Sequence, residues 1–228
     1  MNPEQPHIGR LNEKSLHADL KQWLAQPDDQ FEVAVDGFVI DIVRGERLIE
    51  IQTRNFGAMK RKLSQLLTHH PVHLVHPIAQ EKWIVKLSPD GKQIGRRKSP
   101  KQGTTADLFR ELVAIPHLMT HDNFSLELLL IQEEETRYFD GSRGWRRKGW
   151  LTQERHLLTV TSSHTFHTPA DLLALLPPDL PSAFTTAHIA QAMAIPRALA
   201  QKMAYCLQKM SVIEAVGKDG RSILYHKS

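Results

Sequence analysis

The sequence predicts an α/β fold followed by a small α+β domain, and three observations carry that prediction. A helical-period segment precedes three short β-branched runs. A second helical-period segment and two more β-rich runs then complete that block. From about residue 168 the pattern changes to short helices followed by a Gly-punctuated hairpin.

Residues 12–24, NEKSLHADLKQWL, place Leu16, Leu20, Trp23 and Leu24 on one helical face, with Asn12 as N-cap. The stretch FEVAVDGFVIDIVRGERLIEIQ breaks at Asp36-Gly37 and at Arg44-Gly45-Glu46. It therefore reads as strands over 31–35, 38–43 and 47–52 joined by tight turns, with Asp36 a turn residue. Residues 56–67 return to helical period with Phe56, Met59, Leu63, Leu66 and Leu67 inward. Two more strands are expected at 72–78 and 82–87, then a Lys-, Arg-, Gly- and Pro-rich loop or linker over 88–104. A helix over 105–118, the segment FSLELLLIQEEETRYF, the turn DGSRGWRRKGW and HLLTVT make up a middle α+β region with no assigned role. The last block holds a short helix (Pro169 to Leu176), the connection PPDLP, a helix over 185–194 and a helix opened by Pro196. Leu199, Met203, Leu207 and Met210 face inward on that final helix. VIEAV and SILYH flank its Gly-rich tip, Gly217 to Arg221. The expected divisions are 1–90, 91–165 and 166–228.

Composition narrows the class. Hydrophobic residues at 41% and charged residues at 24% are ordinary for a globular chain, and no apolar run is long enough to cross a bilayer. The N-terminus lacks the basic and apolar regions of a secretory signal, and Cys206 is the single cysteine, which fits a soluble protein of the reducing cytoplasm. One cysteine excludes a disulfide scaffold and a thiolate-rich zinc site. The 13 histidines, His69-His70 included, show no closed zinc spacing, and His164 and His167 read as loop residues. A formal charge of +4 and a pI near 9.2 conceal three basic runs: Lys60-Arg61-Lys62, then Arg96-Arg97-Lys98 with Lys101, then Arg143 with Arg146-Arg147-Lys148. One such run is an ordinary solvated surface; three favour a polyanionic partner.

Two acids interrupt strands that otherwise read as buried: Asp41 in FVIDIV and Glu50 in LIEIQ. An ionised carboxylate in apolar surroundings costs several kcal/mol unless paired, hydrogen-bonded or bound to a cation. Glu50 and Gln52 share a strand face, and a short turn at Gly45 brings Asp41 to it. Two carboxylates at one site repel without a counter-charge, and oxygen donors of this kind suit Mg²⁺ or Mn²⁺. The other reading is a pair of acids satisfied by Arg44, Arg54 or backbone amides. Glu13 lies on the inward stripe of the opening helix, where it either reaches the same site or simply favours the helix N-terminus.

On these residues, the first block resembles the PD-(D/E)XK nuclease superfamily, its restriction-endonuclease-like and Holliday-junction-resolvase-like branches in particular. An opening helix carries Glu13, a strand carries Asp41, and Glu50-Ile51-Gln52 stands where the family has Glu-x-Lys. The resemblance covers about residues 10–88. It implies a mixed sheet flanked by helices and Mg²⁺- or Mn²⁺-dependent phosphodiester hydrolysis, with Asp41 and Glu50 as metal ligands and Glu13, Asp41, Glu50 and Gln52 as catalytic residues. Gln52 departs from the family's lysine: an amide can orient a water but cannot deprotonate it. Lys60, at the edge of the inward face of the 56–67 helix, is the candidate to compensate, its other reading being an exposed lysine in a basic run.

The last block resembles a winged helix-turn-helix domain, with Arg197, Gln201 and Lys202 on the outward side of the recognition helix and Lys218 and Arg221 on the wing. Arg96, Arg97, Lys98 and Lys101, together with Arg146, Arg147 and Lys148 between Trp145 and Trp150, are further DNA contacts. Both tryptophans are either stacking surfaces or core anchors. The expected function is a DNA endonuclease targeted by its winged helix, a homodimer if it cuts both strands. Two alternatives stand beside it: a nuclease-like regulator that binds DNA without cutting, and a subunit of a repair or phage-defence complex whose winged helix contacts protein.

Overall fold

A computed structural model describes residues 14–141, 143 and 148–228 of the chain. Glu13, Asn12, Trp145, Arg146 and Arg147 lie outside the described residues. Secondary structure follows the order α1 (Lys14–Leu24), β1 (Gln30–Val35), β2 (Phe38–Arg44), β3 (Arg47–Ile51), α2 (Phe56–Leu66), β4 (Val72–Leu87) and β5 (Gln93–Lys98). After these come α3 (Phe109–Leu112), β6 (Phe124–Phe139), β7 (Trp150–Phe166), α4 (Pro169–Leu173), β8 (Ala183–Phe184), α5 (Thr186–Ala192), α6 (Arg197–Lys209), β9 (Ile213–Asp219) and β10 (Ser222–Lys227). Strands β1 to β7 form one mixed sheet in the order β1-β2-β3-β4-β6-β7, with β5 paired to β4. The protein is thus an α/β fold, a seven-stranded mixed sheet accompanied by helices. No described helix is long and apolar enough to cross a membrane.

The first three strands form where the sequence expects them. Asp36 (φ 50°) and Gly37 (φ 80°) supply the left-handed pair that a tight hairpin turn needs, so β1 and β2 close on Val35 opposite Phe38. Three expectations further along are corrected. The two strands over 72–78 and 82–87 are the single strand β4, since extended backbone continues through Ala79–Glu81. The supposed linker over 88–104 contains β5, which pairs Lys98 with Trp83, Arg97 with Ile84 and Arg96 with Val85. The helix over 105–118 is a 3₁₀ turn, the single-turn α3 and a second 3₁₀ turn opened by Pro116, whose missing N–H interrupts a continuous helix. Strands β5 and β6, both beyond residue 90, pair with β4.

Two compact units interleave along the chain. One comprises Asp28–His76, Thr104–Leu128 and His164–Ser228. Its core gathers Ile40, Ile42, Leu48, Ile49 and Ile51 from the strands with Phe56, Leu63 and Leu66 from α2. Strand β3 runs antiparallel to β2 and parallel to β4, so α2 is the crossover between two parallel strands. The same unit holds α5, α6 and a three-stranded sheet in the order β8-β10-β9. Thr185 caps α5, and Ala194 (φ 51°) turns the chain into α6. Buried Leu199, Met203, Leu207 and Met210 match the expected inward face of α6. Cys206 is buried with them, its thiol pushed up to about 12 by burial, and acts as a packing residue.

The other unit comprises Pro77–Gly103, Leu129–Ser163 and the described part of Met1–Pro27. Leu16 and Leu20 of α1 are buried as expected, whereas Trp23 is 48% exposed. Asp19 fixes α1 to β7 by accepting from the Leu157 N–H at 2.9 Å. Glu133 and Glu135 of β6, both fully buried, are held by Arg155 of β7 and by Lys82 of β4 and Arg137, respectively, with Lys82 2.7 Å from Glu133. A Cβ on Gly103 would stand 2.4 Å from Ile78 Cγ2 and 2.6 Å from the Ala79 carbonyl oxygen. Because one neighbour is backbone, Gly103→Ala is expected to destabilise the protein by about 1–3 kcal/mol, read as a lowered urea midpoint at unchanged m-value.

Candidate functional site

The β2–β3 ladder pairs Arg44 with Arg47, Val43 with Leu48 and Ile42 with Ile49. Past that point the Asp41 carboxylate takes over from the backbone, its Oδ2 accepting from the Ile51 N–H at 2.8 Å. Glu50 is 3% exposed, and its position pairs with Leu74 of β4. So the alternation of β3 sends one acid into an interior otherwise lined by apolar side chains. Lys62, from the middle of α2, reaches down to it. Its Nζ lies 2.6 Å from Glu50 Oε1 and donates to the Val39 carbonyl at 2.6 Å. The contact with Glu50 is an ion pair with poor donor angles, since Oε1 accepts no well-formed hydrogen bond.

These charges compete. Burial raises the Glu50 pKa, Lys62 pulls it down, the neighbouring Asp41 charge raises it again, and the balance lies above the ordinary value of 4.5. Asp41 thus adds to the negative charge that the Glu50 carboxyl meets. Asp41, Glu50 and Lys62 form one electrostatic group built from two strands and one helix.

Lysine 62, not Lys60, completes the group. Lys60 is exposed, and its charge acts on His117, whose pKa is lowered by burial and then by this lysine. Lys60 and Lys62 flank the buried stripe of Phe56, Leu63 and Leu66 on opposite sides, so helical spacing alone does not separate them; the placement of α2 over the strands does. The sequence holds no signal that selects Lys62 over Lys60, since each stands one turn from an inward residue of α2.

Gln52 lies just past β3, and its backbone is locked to β4: the N–H donates to the Val75 carbonyl at 2.9 Å, and the carbonyl lies 2.6 Å from His76 Nδ1. Its side-chain amide nitrogen donates to the Arg54 and Asn55 carbonyls, so it braces the loop that leads into α2. Asn55 at the start of α2 is left-handed (φ 58°) and makes no side-chain cap. Glu111 of α3 takes that place, accepting from the Phe56 N–H at 3.3 Å where the helix dipole favours an anion. Buried His76 meets the Phe56 ring edge-on, 4.9 Å between centroids.

Asp41 and Glu50 carry hard oxygen donors of the kind that could hold Mg²⁺ or Mn²⁺, although Glu50 Oε1 lies 2.6 Å from the Lys62 ammonium. Among the described residues, no group of three or more His, Cys, Asp or Glu side chains is placed to hold a metal.

The expected DNA contacts divide. Gln201, Lys218 and Arg221 are exposed. Arg197 is exposed but bonded within its own unit, to Thr186 Oγ1 at 2.8 Å and Ser222 Oγ at 3.4 Å. Lys202 is half-buried and donates to the Arg110 carbonyl at 3.3 Å. Arg96, Arg97 and Lys98 stand on β5, with Lys101 and Lys148 exposed on loops. Trp150 is half-buried, edge-on to Phe139 at 5.5 Å with Lys86 Nζ 4.2 Å over its ring.

Residues 14–167 match the family described as a domain of unknown function (DUF8091), and the chain belongs to that family. A protein of Treponema pallidum (strain Nichols), named only as an uncharacterized protein, is 31% identical over 185 residues, 81% of this chain and 74% of its own length. No solved structure matches.

Proposed function

We propose that this DUF8091 protein is a metal-dependent DNA endonuclease, with Asp41, Glu50 and Lys62 as its working centre in a restriction-endonuclease-like core and with a winged helix-turn-helix formed by α5, α6, β9 and β10. The observation that carries the reading is a buried strand carboxylate, Glu50, beside a second one, Asp41, with the α2 lysine ammonium 2.6 Å away. Support comes also from the layout: a helix, three antiparallel strands, a helix, and a fourth strand parallel to the third. That is the order implied by the resemblance to PD-(D/E)XK nucleases.

Asp41 and Glu50 would hold Mg²⁺ or Mn²⁺, which supplies positive charge against the charge developing on phosphate and makes a bound water more acidic. Fixed by the Ile51 N–H, the Asp41 carboxylate has no freedom to turn away. Lys62 opposes the rise that burial imposes on the Glu50 pKa. Its ammonium is also the group that can orient a water or a phosphate oxygen, a task the Gln52 amide nitrogen cannot take while it braces the 53–55 loop. On the winged helix, Gln201 would face bases, and Lys218 and Arg221 would face phosphates.

One observation favours a second reading, a DNA-binding regulator that does not cut: Lys62 already gives the buried Glu50 a counter-charge without a cation. Incubation with linear duplex, single-stranded and branched DNA in Mg²⁺ or Mn²⁺ separates the two. Wild type is expected to give metal-dependent products, and Asp41→Ala and Glu50→Ala to lower the rate by about 100-fold or more. Cutting that survives both substitutions would remove this centre from the reaction. Binding without cutting by wild type would leave the regulator.

A further inference from the structure

The positive charge of this protein is unevenly placed. Residues 77–103, which contain the β4–β5 hairpin, carry seven Lys and Arg against two acids, a net +5 that exceeds the +4 of the whole chain. Residues 164–228, with the α5–α6 pair and the β9–β10 tip, carry six cations against four acids. Electrostatic attraction to a polyanion therefore concentrates on the hairpin.

The hairpin also presents an aromatic face. Register pairs Trp83 with Lys98 and Val85 with Arg96, which sets Trp83, Arg96 and Lys98 on the same side of the sheet. The Arg96 guanidinium and the Lys98 ammonium each lie 5.3 Å from the Trp83 ring centroid. Glu134 and Glu81 hold these two cations in position, and as exposed ion pairs both are weak enough for a phosphate to replace. Trp83 is half-buried, with Arg97 and Lys101 exposed along the same hairpin.

We infer that the β4–β5 hairpin is a stacking platform for single-stranded DNA, with Trp83 against an unstacked base and Arg96, Lys98 and Lys101 along the phosphates. An aromatic face gains from a base only when that base is free of its neighbours, so Trp83 contributes to a single strand and not to an intact duplex. The inference rests on the reading of this protein as one that acts on DNA, but its test requires no cleavage.

The test is fluorescence anisotropy with a fluorescein-labelled oligo-dT and an abasic strand of equal length, in EDTA. Wild type is expected to bind oligo-dT about tenfold more tightly than the abasic strand. Trp83→Ala is expected to remove that tenfold difference, and Trp83→Phe to retain most of it. Replacing Arg96, Lys98 and Lys101 together by alanine is expected to lower the slope of log K against log salt by about 2. Equal affinity of wild type for the two strands overturns the inference whether or not the variants fold. Wild-type affinity in a folded Trp83→Ala protein overturns it as well. Cleavage without any preference for bases would defeat this inference alone; base-dependent binding without cleavage would defeat only the nuclease reading.

Discussion

Replacing Lys62 by methionine is expected to cost about 3–5 kcal/mol near neutral pH, because it leaves the Glu50 carboxylate buried without its counter-charge. Methionine keeps the length and apolar stem of the side chain, so lost packing contributes little. The pH dependence identifies the cause. Glu50 already has a pKa above its ordinary 4.5, and removal of Lys62 raises it further. A carboxyl whose folded value exceeds its unfolded one binds more protons when folded, so stability falls as pH rises from the unfolded value through the folded one. Urea unfolding at pH 5 and pH 8 should therefore show a larger deficit for Lys62→Met at pH 8. An equal deficit at both would show that Lys62 acts by packing and not by charge. In the cleavage assay the same variant is expected to lose about 100-fold or more in rate, with Lys60→Met unaffected.

The second large effect lies in the other unit and in acid. Burial pushes Glu135 up, but Arg137, Thr152 and Lys82 outweigh it and hold its carboxyl at about 2. Against an ordinary 4.5, this corresponds to stability on the order of 3 kcal/mol. The sign is that of a depressed acid: the contribution is fully present above 4.5 and is lost as pH falls through about 2. Wild-type stability in urea should accordingly fall between pH 5 and pH 2.5, and Glu135→Gln should reduce that slope while lowering stability at pH 7. An acid slope equal in the two proteins would assign acid sensitivity to other carboxylates. Glu133 belongs to the same network, with Arg155 and Lys82 as partners.

How far the sequence reaches can be judged residue by residue. Strands β1 to β3 were legible because their turns are local: Asp36-Gly37 and Gly45 carry the left-handed geometry within the residues that need it. Helices α2 and α6 were legible from apolar spacing, which is also local. Strand β5 was not, since its cation-rich residues show no apolar period and depend on pairing with Trp83, Ile84 and Val85 for their conformation. The 105–118 segment has helix-forming residues, yet Pro116 interrupts it.

For the site, sequence alone determined that Asp41 and Glu50 are acids within apolar strands and that such acids need a counter-charge. Which counter-charge they have was decided by the tertiary structure. Lys60 and Lys62 are two residues apart in one basic run, and only the rotation of α2 over the sheet sets Lys62 on Glu50 and Lys60 toward His117. Packing likewise brought Lys202 to the Arg110 carbonyl and bound the Gln52 amide to its own loop. Strand and helix periods are encoded in neighbouring residues, whereas partners for a charge come from distant ones, and only the folded chain brings these within a few ångströms.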